Sequence, residues 1–184
     1  MATVAIAAAA IVALSVVFVV VLRICGLVRP FSVPTAAMSP AINPGDHFVM
    51  ERLSYLVAKP QRGDVIVFRT DEIASIQERA VYVKRLVGLP GDELRLSNGT
   101  LYVNGRPALF HNRSGEIQYS TITSGRYLAG ETETVRVPDE HYFVIGDNSA
   151  HSADSRLWGF LPAKSMLGRA VFCYWPPARV GSIQ

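Results

Sequence analysis

The chain has 184 residues, two cysteines and four histidines, with 18 Lys plus Arg against 15 Asp plus Glu and a net charge of +3. Less an apolar N-terminal run, that length holds one domain able to bury its own core without disulfides or metals. The basic residues are scattered and never form a run, which argues against a nucleic-acid partner, and the histidines are too dispersed for a zinc site.

Residues Ala2 to Leu22 carry no charge, and only Thr3 and Ser15 interrupt the Ala, Val, Ile, Leu and Phe. At a rise of about 1.5 Å per residue, about 21 residues cross roughly 30 Å, the thickness of a bilayer core. A cleaved secretory signal would show a basic start, a shorter apolar stretch and a small-x-small site. Here the run is followed by Arg23-Ile-Cys-Gly-Leu-Val-Arg29. The expectation is a retained transmembrane anchor over residues 1–24 and a β domain over 25–184. Arg23 and Arg29 add a weak attraction to anionic lipid, and by the positive-inside rule they would put the domain in the cytoplasm. Cys25 and Cys173, with no CxxC spacing, read as two unpaired thiols first and as a bridge second.

Beyond Pro30 the pattern is that of a β protein. Candidate strands are Phe48–Leu53, Asp64–Arg69, Val81–Val87 and Glu93–Leu96, then Leu101–Val103, Thr134–Val137, Tyr142–Ile145 and Ala170–Trp175. They are short, rich in Val, Phe and Tyr, and punctuated by Gly, Pro, Asn and Asp. Asn98-Gly99 and Asn104-Gly105 are tight-turn signals, so Glu93 to Leu109 reads as a hairpin or meander. Ser120–Gly130, with its Ser, Thr and Gly, reads as a surface loop. The fold class expected is mostly β, antiparallel, behind one N-terminal helix.

Lys84 lies within Val81-Tyr-Val-Lys-Arg-Leu-Val87, a run that should be largely buried. On the period-2 rule Tyr82, Lys84 and Leu86 share one face, and Val81, Val83, Arg85 and Val87 the other. A lysine on an apolar face resists carrying charge, so its pKa falls towards neutrality, and a neutral amine can take a proton from a hydroxyl. Strand lysines are more often exposed, so this segment alone would not single out Lys84.

Its neighbours in the chain do. Pro34-Thr-Ala-Ala-Met-Ser-Pro40 with Gly45-Asp46, Tyr82-Val-Lys-Arg85 with Gly88-Leu-Pro-Gly-Asp92, and Gly146-Asp-Asn-Ser-Ala-His-Ser-Ala-Asp-Ser-Arg156 with Trp158-Gly159 follow the apolar run in that order. Each block alone is commonplace. Together they resemble the nucleophile, general-base and supporting blocks of the bacterial type I signal peptidases, membrane-bound Ser/Lys proteases. The resemblance covers positions 31–48, 81–92 and 146–162.

That resemblance implies a signal-peptidase-like antiparallel β domain on the outer face of the cytoplasmic (inner) membrane, against the flanking charges. It implies Lys84 as general base, Ser152 as the hydroxyl that orients it, and Thr35 in the oxyanion hole. Asp147, Asp154 and Arg156 would support the walls, while Phe31, Val33, Phe48, Tyr82 and Val83 would shape a shallow apolar substrate pocket. Partners would be preprotein signal peptides with small residues in an A-x-A pattern, and the lipid bilayer, on which an apolar face near Phe31 and Phe48 would rest. Deacylation needs only water, so no metal or organic cofactor is expected.

One position departs from the pattern: Ala37 stands where the family carries its nucleophilic serine. As written, the chain is expected to be inactive or strongly impaired. Two origins are open. The alanine is an alteration that keeps substrate or the enzyme itself uncut, or it marks a natural pseudo-protease that binds preproteins, with Thr35 and Ser39 as other candidate hydroxyls. A related pilus or conjugation peptidase would share the same blocks. Self-cleaving repressors also use Ser/Lys, but they carry a DNA-binding domain in place of an apolar N-terminus.

Overall fold

The computed structural model describes residues 2–184; residue 1 of the expected 1–24 span lies outside the described residues. The uncharged run forms helix α1 (Ala2–Ile24), which ends in a turn at Gly26, a residue with φ of +69°. From Val4 to Ile24 the helix is long and apolar enough to cross a membrane, and none of that stretch is buried in the protein.

The remaining chain is mostly strand. In order come β1 (Val28–Ser32), β2 (His47–Glu51), the one-turn helix α2 (Ser54–Val57), β3 (Val65–Arg69) and β4 (Val81–Gly88). Next are β5 (Glu93–Ser97), β6 (Thr100–Val103), β7 (Arg106–Pro107), β8 (His111–Asn112), β9 (Gly115–Glu116), β10 (Thr134–Arg136) and β11 (His141–Ile145). Helix α3 (Ser155–Trp158), β12 (Leu161–Pro162), β13 (Met166–Trp175) and β14 (Gly181–Ser182) complete the chain. The main sheet runs β1-β2-β13-β3-β4-β11-β12, with β14 on β13, and every pairing in it is antiparallel. A second sheet, β10-β5-β6-β7, packs its own apolar core around Leu94, Leu96, Leu101 and Val135.

Each expected strand is present, shifted by a few residues at most at its ends except β13, which begins four residues earlier than expected. Both Asn-Gly pairs turn as expected: Asn98 and Gly99 have φ of 48° and 78°, Asn104 and Gly105 52° and 77°, the double left-handed geometry that closes a two-residue hairpin. Strand β1 was not expected, because Pro30 interrupts its pattern. An edge strand tolerates proline, since one row of its backbone groups needs no partner, and β1 pairs only with β2. Residues 120–130 form no strand or helix, but they are not surface throughout. Leu128 is fully buried, and the Arg126 and Tyr127 N–H groups donate to the Arg156 carbonyl at 2.8 and 3.0 Å. Cys25 and Cys173 are free.

Strand β4 positions the site. Strand β3 pairs along it from Val81 to Arg85, with Ile66 opposite Lys84, whereas β11 pairs only with Arg85, Leu86 and Gly88. Among the described residues, then, the Val81–Lys84 edge facing away from β3 has no strand beside it. The chain leaving β11 at Ile145 turns across this gap, carrying the Gly146–Asn148 block towards Ala37.

Candidate active site

A cavity of about 470 Å³ occupies the gap. One wall is the chain leaving β1, with Val33, Pro34, Thr35 and Ala37; the other is the free edge of β4, with Tyr82, Val83 and Lys84. His151 and Ala153 close one end. The β4 wall is a strand edge without a strand partner on the cavity side among the described residues, so an extended peptide laid along it would meet free N–H and C=O groups there.

Ala37 sits in a tight turn, with the Ser39 N–H donating to the Ala36 carbonyl at 3.0 Å. Met38 and Ile42 plunge into the core beneath the cavity, beside Phe48, Val67 and Val83, and so fix the turn from below. From the side, Asn148 donates its backbone N–H to the Ala37 carbonyl and its side-chain amide to the Ala36 carbonyl, both at 3.1 Å. Gly146 makes this approach possible: a Cβ there would collide with the Ser152 hydroxyl and the Ala37 carbonyl. Arg179 holds the far end, donating to Asp46 at 2.7 and 2.9 Å and to the Pro40 and Ala41 carbonyls at 2.8 and 3.2 Å.

Lys84 is 5% exposed, and among the described residues it forms no ion pair. Its ammonium position lies 5.5 Å from the Tyr82 ring centroid. Burial pushes its pKa down from 10.5 to about 8; the Asp154 carboxylate opposes that shift and the Arg156 guanidinium adds to it. Such an amine is readily deprotonated and can accept a proton from a neighbouring hydroxyl.

Ser152 is buried between His151 and Ala153, and its hydroxyl has no hydrogen-bond partner among the described residues, Lys84 included. Behind it stand two carboxylate–guanidinium pairs. Arg85 grips Asp147 through two bonds of 2.7 Å, and Arg156 grips Asp154 at 2.7 and 2.8 Å. Asp154 also accepts from the Gly146 N–H at 3.1 Å, and Arg156 donates to the Ser120 and Ser149 carbonyls.

The structure therefore brings Thr35, Ala37, Lys84, Val33, Tyr82 and Val83 to one cavity, with Ser152, Asp147, Asp154 and Arg156 behind it. It does not bring Phe48 to that surface. Phe48 is 1% exposed, with Phe31 stacked on it at 6.0 Å, so a lipid-facing patch that includes Phe48 is ruled out by its burial. Of the other candidate hydroxyls, Thr35 lines the cavity and Ser39 does not. Sequence reasoning missed Arg179 as a clamp on this turn, and Arg85 as the partner of Asp147. Alternation in β4 placed Arg85 on the face opposite Lys84, but nothing local named its partner.

The family model described as "Signal peptidase, peptidase S26" matches residues 4–175. The chain belongs to this signal peptidase family. A probable signal peptidase I-2 of Synechocystis is 37% identical over 81% of this chain and 64% of its own length. A probable thylakoidal processing peptidase 2 of Arabidopsis thaliana is 34% identical over 85% of this chain and 41% of its own. The chain thus spans less than two thirds of either relative. A crystal structure of a signal peptidase I from Enterococcus faecalis superposes with a TM-score of 0.46 at 29% identity, covering 61% of this chain and 97% of that one. Signal peptidase membership covers all three blocks and the apolar helix.

Proposed function

We propose that this protein has the working parts of a membrane-anchored signal peptidase I, with residues 1–24 as anchor and 25–184 as catalytic domain on the outer face, and that Ala37 withholds its chemical step. The observation that carries the reading is the meeting at one cavity of a buried, unpaired lysine and the Ala37 turn, with the Ser152 hydroxyl packed against that turn at Gly146. The C-terminal end of a signal peptide would lie extended along the free edge of β4, across from the Val33–Ala37 segment, its small side chains facing the apolar surface of Val33, Tyr82 and Val83. Room for alanine but little more between those side chains is what an A-x-A preference requires.

With serine at position 37, the hydroxyl would attack the scissile carbonyl while neutral Lys84 takes its proton. The residue-37 N–H and the Thr35 hydroxyl would receive the oxyanion. The lysine would return the proton to the leaving amine, and water would then release the acyl-enzyme. A small turn of Lys84 towards Ser152 would satisfy that buried hydroxyl and aim the amine. With alanine there, the cavity can still hold substrate but has no hydroxyl at position 37 to attack with. The same observation favours binding without turnover as the present behaviour of this chain.

The test is cleavage of a preprotein with an A-x-A site in detergent. The Ala37→Ser form should cut where the parent only binds, and adding Lys84→Ala should silence it. If the parent cuts as fast as Ala37→Ser, another hydroxyl is the nucleophile and the dyad reading is wrong.

A further inference from the structure

A second cavity, of about 390 Å³, shares the Ala80–Val81 wall with the first and opens on its other side. Three arginines from separate segments converge on it: Arg29 on β1, Arg69 on β3 and Arg79 on the connection from β3 to β4. Among the described residues, the only acid lining it is Asp71, already paired with Arg69 at 2.7 Å. Arg29 and Arg79 form no ion pair among the described residues. Phe31, Val81 and Leu167 line the same cavity beside these arginines. Scattered surface arginines ordinarily face water; three that converge on one concavity with an apolar wall fit an anionic group attached to something greasy.

The position of the cavity says which. Arg29 follows the end of α1 by five residues, a reach of at most about 18 Å. Its guanidinium lies against Gly26, at the turn that ends the helix, where a Cβ would come within 2.6 Å of Nη2. The cavity is therefore tied to the point where an apolar helix would leave the hydrocarbon and enter the headgroup layer.

We propose that the Arg29–Arg69–Arg79 cavity binds the phosphate of an anionic phospholipid headgroup, with Phe31, Val81 and Leu167 against its glycerol and upper acyl chain. This adds to the peptidase reading a lipid site that shares a wall with the substrate cavity. It rests on α1 lying in a membrane. Insertion is read separately, by whether alkaline extraction leaves the chain in membranes.

The experiment uses the full chain in neutral detergent micelles, titrated with dioctanoyl phosphatidylglycerol, dioctanoyl phosphatidylcholine and inorganic phosphate, with bound lipid counted by native mass spectrometry. Phosphatidylglycerol should bind about tenfold or more tightly than phosphatidylcholine. Each arginine near an anionic headgroup is worth roughly fivefold, so Arg29→Gln with Arg79→Gln should lower that affinity by more than about tenfold, while Arg106→Gln leaves it unchanged. If circular dichroism shows the double variant to be unfolded, Arg79→Gln alone should still lose about fivefold. Equal phosphatidylglycerol binding by parent and variants overturns the proposal. So does equal binding of free phosphate, which would make this a site for a soluble anion. Arginine-dependent binding of an Asp-rich peptide in place of lipid would assign the cavity to protein and overturn it too.

Discussion

Lys84 and Arg85 are consecutive on β4, and both are nearly sealed from water, yet the two sides of the strand treat charge in opposite ways. Arg85 spends its donors on Asp147, the Gly63 carbonyl and the Gln184 carbonyl. Lys84, on the cavity side, has no ion pair among the described residues and a pKa pushed down to about 8. A buried charge survives where its lone pairs and protons are satisfied, and is given up where they are not. The comparison teaches that the satisfied side is a frame. Its bonds hold Gly146 and the residues beside Asp147, while the other, starved side keeps an amine without an ion pair among the described residues.

The largest effect expected from breaking this contrast is chemical. Restoring a hydroxyl with Ala37→Ser should raise kcat for an A-x-A preprotein by up to about 10⁶-fold. Initial rates measured with and without Lys84→Ala show whether the starved side is the catalytic one.

Stability should then separate the two sides. Asp147→Ala or Asp154→Ala leaves a buried guanidinium without its partner and should cost about 3–5 kcal/mol in urea unfolding. Lys84→Met, by contrast, should leave stability unchanged or raise it at pH 7. Equal losses for the two classes would abolish the distinction.

The pH dependence sharpens it. Unfolded, Lys84 holds its proton up to about pH 10.5; folded, only to about 8. Between those values the unfolded state binds more protons, so the native state gains stability as pH rises, by about 3 kcal/mol across the window. Below pH 8 the native state carries the whole burden of a buried ammonium. The urea midpoint of the parent minus that of Lys84→Met should climb from pH 8 to 10.5, and activity of the Ala37→Ser form should rise to a plateau above about pH 8. A flat difference would mean that Lys84 is not desolvated.

A smaller effect is expected at the joint between frame and cavity. Asn148→Ala removes one side-chain bond to the Ala36 carbonyl and should cost about 1 kcal/mol. A thermal melt reads that cost, and in the Ala37→Ser background the loss should fall on kcat more than on KM, because the turn is misplaced while the cavity walls remain.

What the sequence determined by itself was everything that local pattern can carry. An uncharged run is long enough to be a helix across a bilayer whatever follows it. Alternation in Val81–Val87 put Lys84 on an apolar face, and the Asn-Gly pairs closed their hairpins without help from the rest of the chain. The order of the three blocks was enough to place the chain among the signal peptidases. Tertiary structure alone decided which of those residues meet. Arg179 clamps Asp46 across 133 positions, and Arg85 reaches Asp147 across 62. Neither pair has a local signal, because a salt bridge leaves no period in the chain. Phe48, placed by resemblance in the substrate pocket, is instead core, since its side chain packs among Met38, Ile42, Met50 and Val83 with Phe31 stacked on it. The meeting of Arg29, Arg69 and Arg79 likewise has no local signal, because it brings β1, β3 and the connection from β3 to β4 to one cavity. Sequence pattern reports how a segment divides its side chains between water and core. The order in which segments then stack is set by how their faces fit, and no single segment contains it.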